Sequence, residues 1–177
     1  MKNKNSVTNL AFSAMFLALA FLLPFLTGQI PQIGSMLCPM HIPVILCGYI
    51  CGAPWGLAVG FIAPLLRSAI LGMPVLFPTA VSMAFELAAY GFLSGLLYRI
   101  LKKDKAGIHL SLIISMLGGR LVWGLAQFIC LGFDTDKFSL TAFYTGAVTT
   151  ALPGIAIQLI LIPLLVIAYE KRLMKNN

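Results

Sequence analysis

Acidic residues are scarce in this chain. Five Asp and Glu stand against twelve Lys and Arg, and charged residues of both signs make up only 10% of the 177. A soluble domain carries about a quarter charged residues, and here the hydrophobic share is 60% with a mean hydropathy of +0.98. A soluble globule is therefore excluded. The shortage of carboxylates also limits chemistry: there is no HExxH, no pair of intramembrane aspartates, no GxSxG and no glycine-rich phosphate loop. The four cysteines, Cys38, Cys47, Cys51 and Cys130, show no metal-ligand spacing and read as small apolar residues. Low-complexity segments and internal repeats are absent too, which weighs against a transporter built from two inverted halves.

What the chain does have is long apolar runs separated by short polar punctuation. At roughly 20 residues per span, 177 residues hold six transmembrane helices with little left over. The spacing predicts helices over about 8–26, 39–51, 55–71, 78–101, 108–132 and 147–170. Gly52-Ala53-Pro54 and Gly72-Met73-Pro74 close the second and third, and Asp134, Asp136 and Lys137 mark a polar loop before the sixth. The second is short, so it is either tilted or only part-way across. The first run has a basic start but no convincing small-x-small cleavage site, and is expected to remain as helix 1.

The net charge of +7 would suggest nucleic acid in a soluble protein. Here the basic residues fall in three blocks beside apolar spans: Lys2 and Lys4; Arg99, Lys102, Lys103 and Lys105; Lys171, Arg172 and Lys175. Six crossings put all three on one side, as the positive-inside rule requires. The expected architecture is thus an all-α integral membrane protein, one domain over 1–177, six helices in a compact bundle with both termini cytoplasmic. No nucleic-acid partner is expected.

Polar residues inside the spans are costly and normally face the bundle interior or a wet cavity. They gather in the outer half: His41, Arg67, Glu86, Arg120, Gln127, Thr149 and, deeper, Gln158. Arg120, Trp123 and Gln127 recur at three and four residues, so they share one helical face and offer a cation, an aromatic wall and an amide. Arg67 and Glu86 could pair across helices 3 and 4, whereas Arg120 has few carboxylates to meet. An arginine left without a protein partner favours an anionic ligand, because its planar fork matches a carboxylate. An enzymatic alternative needs Glu86 and His41 to converge in one cavity. On helix 1 the small residues Ala11, Ala14 and Ala18 form a nearly flat stripe, suited to close contact either within the bundle or with a separate membrane subunit.

Size, topology and three motifs carry a resemblance. Ala14-x-x-x-Ala18 on helix 1, Pro39-Met-His-Ile-Pro43 opening helix 2 and Pro64-Leu-Leu-Arg67-Ser68 closing helix 3 resemble the substrate-binding S components of energy-coupling factor (ECF) vitamin transporters, over essentially the whole chain. The resemblance implies a high-affinity binding subunit in a prokaryotic plasma membrane, with no cofactor of its own and ATP used by partner subunits. It also implies docking through Ala14 and Ala18 onto a membrane coupling subunit that works with two cytoplasmic ATPases. The helix 2 and 3 motifs look most like the pantothenate-type branch; folate, hydroxymethylpyrimidine, niacin and lipoate are carried on the same scaffold. The site expected from the residues has Arg120, with Arg67 second, at a ligand carboxylate. Gln127, Thr149 and Gln158 meet its polar groups beside Trp123, Glu86 and His41 lie nearby, and the loop at Gln29 closes over it.

Overall fold

A computed structural model describes residues 6–26, 38–101, 104–131 and 152–175. Six helices follow one another: α1 Ser6–Leu26, α2 His41–Cys51, α3 Ala53–Leu71, α4 Val81–Ile100, α5 Lys105–Cys130 and α6 Leu152–Lys175. A π-helical turn, Leu76–Ala80, leads into α4. Five of these segments are long and apolar enough to cross a membrane, and no strand occurs among the described residues.

Local chemistry sets the boundaries. Gly52, at φ 99°, makes the tight turn between α2 and α3, and Pro54 follows at the start of α3, where a missing N–H costs nothing. Gly72 ends α3 in the left-handed region at φ 68°, its N–H bonded to the Ser68 carbonyl at 2.9 Å. Asp104 caps α5, its Oδ1 accepting from the Gly107 N–H at 2.7 Å.

α2 is the hub. It packs against α1, α3, α4 and α6, and nine of its eleven residues are buried. A helix apolar all round belongs inside a bundle rather than against lipid. Its eleven residues span about 16 Å at 1.5 Å each, roughly half of a 30 Å hydrocarbon core. The long helices surround it and turn large apolar side chains outward, among them Leu22 on α1, Ile70 on α3, Leu121 on α5 and Ile160 on α6.

The most extensive interface is α3 against α4, and glycine makes it. A Cβ on Gly56 would fall on the Gly91 carbonyl, one on Gly91 would fall on the Gly56 carbonyl, and one on Gly60 would fall on the Leu87 carbonyl. Gly48 of α2 approaches Gly91 and Ser94 in the same way. Gly56-x-x-x-Gly60 and Gly91-x-x-x-Gly95 are thus facing small-residue motifs of the kind that let membrane helices touch through their backbones. Both were legible as spacings, but the small stripe on helix 1 is the one the sequence reading singled out.

Gly56→Val and Gly91→Val each force side-chain atoms into an opposing carbonyl. Each is expected to lower stability by about 3 kcal/mol, the upper range of overpacking costs, whereas Ala58→Val, half-buried on α3, changes it little. Thermal unfolding in detergent measures the difference.

Candidate functional site

Four buried polar residues mark the inner face of α4 at four-residue intervals: Ser82, Glu86, Tyr90 and Ser94. That spacing keeps one helical face turned to the bundle interior. Glu86 is 2% exposed. Its Oε1 accepts from Arg120 Nη1 of α5 at 2.9 Å and lies 3.4 Å from His41 Nε2 at the start of α2. Three helices therefore converge on a single carboxylate oxygen. The Tyr90 ring meets His41 nearly edge-on, centroids 5.1 Å apart. Arg120 Nη2 donates to Cys38 Sγ at 3.8 Å.

This arrangement corrects two expectations. Arg120 is not left without a protein partner: it is the ion-pair partner of Glu86. Arg67 does not pair with Glu86; it donates through Nη1 to the Phe21 carbonyl of α1 at 3.0 Å, with its guanidinium 5.3 Å from the Phe25 ring centroid. The register of α3 on α4 explains why. Gly56 faces Gly91 and Gly60 faces Leu87, so continuing the antiparallel register sets Arg67 opposite Ala80, six residues past Glu86.

The site retains bonding capacity. His41 Nδ1 and Arg120 Nε are buried and have no hydrogen-bond partner among the described residues. With Nε2–H directed at the carboxylate, a neutral His41 presents Nδ1 as an acceptor, while Arg120 Nε–H is a donor. A buried polar atom without a partner costs about 1–3 kcal/mol, and two beside one ion pair suit a ligand that carries both donor and acceptor groups.

The other expected residues distribute as follows. Gln127 is about two turns beyond Arg120 on α5, and Ser82 Oγ donates to its Oε1 at 2.7 Å, so it faces α4 as well. Trp123, between them, is half-buried. Gln158 is 2% exposed on α6. Gln29 and Thr149 lie outside the described residues. Sequence reasoning passed over Ser82, Tyr90 and Cys38; the 82-86-90-94 period was the signal for the first two. It also passed over a second polar group at the opposite end of the bundle. There Tyr98 Oη donates to Glu170 Oε1, and Tyr49 Oη meets Ser111 Oγ at 2.7 Å.

On α1, Ala11, Ala14 and Ala18 point away from the bundle, while Ser13, Phe16 and Ala20 point inward. Ala14 and Ala18, with Leu17, Phe21 and Leu22 and with Leu66 and Ile70 of α3, line an open apolar groove of about 410 Å³.

Residues 8–166 match the family model for the ECF transporter substrate-specific component. The chain belongs to that family. An S component is the substrate-binding subunit of an ECF vitamin transporter, a transporter part rather than an enzyme, working with the subunits of an ECF module in a prokaryotic cell membrane. Comparisons with curated proteins and with solved structures return no match. His41 and Glu86 do meet, as the enzymatic alternative required, but Glu86 is paired with Arg120, and the family is that of a transporter component.

Removing one member of a buried ion pair strands the other, at a cost of about 3–5 kcal/mol, whereas removing both for apolar residues is often neutral. Glu86→Leu and Arg120→Met are each expected to destabilise the S component by that amount, and the double variant by much less than their sum. Denaturant unfolding of the three variants completes the cycle.

Proposed function

We propose that this S component binds a small carboxylate-bearing vitamin, pantothenate first among them, at the end of the bundle where His41, Glu86 and Arg120 meet. The observation that carries this reading is the pair of unpartnered buried atoms, His41 Nδ1 and Arg120 Nε, beside an otherwise satisfied ion pair. A vitamin with hydroxyl and amide groups supplies a donor for the first and an acceptor for the second. Charge supports an anion: among the described residues within the spans at this end, two arginines, Arg67 and Arg120, stand against one carboxylate, Glu86. Trp123, Gln127, Gln158, Thr149 and the loop at Gln29 complete the proposed site. The termini, with their basic residues, are taken to face the cytoplasm, so that this end opens outward.

The exposed stripe Ala11, Ala14 and Ala18 is the proposed docking face for the membrane coupling subunit, which works with two ATPase subunits. The chain itself needs no cofactor; ATP is used by those partners. A flat alanine surface permits the close helix approach on which association in lipid depends.

Thermal shift of the purified protein against a panel of vitamins identifies the ligand, since free ligand at a hundred times its Kd stabilises the folded state by about 2.7 kcal/mol. Pantothenate is expected to give the largest shift, and Arg120→Ala to weaken its binding by at least about tenfold. A larger shift with folate, hydroxymethylpyrimidine, niacin or lipoate reassigns the substrate. Ala14→Trp with Ala18→Trp is expected to abolish copurification with the ATPases and coupling subunit while leaving vitamin binding intact. Retained copurification removes the docking role.

A further inference from the structure

Two arginines serve this end of the bundle, Arg67 buried and Arg120 half-buried, and the structure treats them differently. Arg120 has a counter-charge: its Nη1 sits 2.9 Å from Glu86 Oε1. Arg67 is 6% exposed, yet among the described residues it meets only a main-chain carbonyl and an aromatic ring, with no carboxylate. A carbonyl and a ring face carry partial charge only, and a sequestered cation held by them gains strongly from a full anion.

Depth separates the two as well. On the register of α3 against α4, Arg67 lies opposite Ala80, six residues nearer the end of the bundle than Glu86. At 1.5 Å per residue that is about 9 Å. The deep position holds a neutral ion pair with one open donor and one open acceptor; the shallow one holds a cation that meets no carboxylate among the described residues, beside the last turns of α1.

We infer that the two arginines divide recognition: Arg67 binds the ligand carboxylate near the mouth and sets selectivity for it, while Arg120, neutralised by Glu86, hydrogen-bonds the uncharged polar end of the ligand below. This rests on the carboxylate-bearing ligand proposed above and fixes its direction, anionic end outward. Since the 9 Å is an offset along the helix axis, a ligand that reaches both positions carries its polar groups at least about that far apart. The order is the reverse of the one expected from sequence, where Arg120 was the carboxylate partner because its own carboxylate partner was not evident.

The experiment compares each acid with its uncharged analogue: pantothenate with pantothenyl alcohol, nicotinate with nicotinamide, lipoate with lipoamide. Binding is measured on the purified protein and on Arg67→Gln, Arg67→Lys and Arg120→Gln. For the pair that binds, the wild-type protein is expected to prefer the acid by about tenfold to a hundredfold, the range of a charge-assisted hydrogen bond. Arg67→Gln brings the ratio close to one through lost acid affinity, with the uncharged analogue held within about twofold. Arg67→Lys restores part of the preference, and Arg120→Gln weakens acid and analogue together and leaves the ratio unchanged. If Arg67→Gln weakens both ligands equally, Arg67 is only a brace from α3 to the Phe21 carbonyl and the inference fails. It fails equally if Arg120→Gln removes the preference, or if the wild-type protein shows no preference in any pair. Binding of nicotinate or lipoate but not pantothenate, with the Arg67 pattern intact, refutes the choice of vitamin and leaves the division of recognition standing.

Discussion

In hydrocarbon no hydrophobic force draws two apolar helices together, so attraction must come from close packing and from polar contacts. In this chain the close packing is backbone against backbone, where Gly56 and Gly60 of α3 meet Gly91 and Leu87 of α4, with Gly48 of α2 fitted beside them. Everything at the candidate site depends on that seam. It brings α2 near enough to α4 for His41 to reach Glu86. It also fixes the antiparallel register that places Arg67 beyond the reach of Glu86 and leaves the carboxylate to Arg120 on α5.

The polar contacts are arranged in two layers. At one end Glu86 gathers α2, α4 and α5, and at the other Tyr98–Glu170 and Tyr49–Ser111 tie α4 to α6 and α2 to α5. The first layer leaves buried bonding atoms open; the second is made of short contacts between side chains of the bundle itself. That contrast supports the proposal of a binding role for the first layer and a structural one for the second. The layer with open atoms also holds the intramembrane arginines, Arg120 within it and Arg67 nearby.

Much of this was readable from composition and spacing. The all-helical membrane class followed from hydropathy and scarce charge, and the family followed from size and the motifs on helices 1 to 3. The convergence of His41, Glu86 and Arg120 was approached through the cost of polar groups in lipid, which singled out all three. Partner choice among those residues was not readable. Glu86 has a basic residue on each neighbouring long helix, and only the α3–α4 register decides between Arg67 and Arg120. The glycine seam was present as two GxxxG spacings, yet a spacing does not say which partner it faces. Ser82 and Tyr90 were hidden for a different reason: serine and tyrosine in an apolar helix draw little notice until the four-residue period with Glu86 is seen.

The shortness of α2 has its own consequence. A helix with a lipid-facing side must match the thickness of the bilayer or deform it, but α2 is enclosed by its neighbours and escapes that condition. Its length is free to follow the depth at which His41 must stand. About 16 Å above the Gly52 turn it stops, well short of α3, whose nineteen residues run on for about 28 Å. By helix length alone, the cluster of His41, Glu86 and Arg120 falls inside a hydrocarbon core of about 30 Å and not at the headgroups. At that level water screens little, and each hydrogen bond offered to a ligand counts for more than it would at the surface.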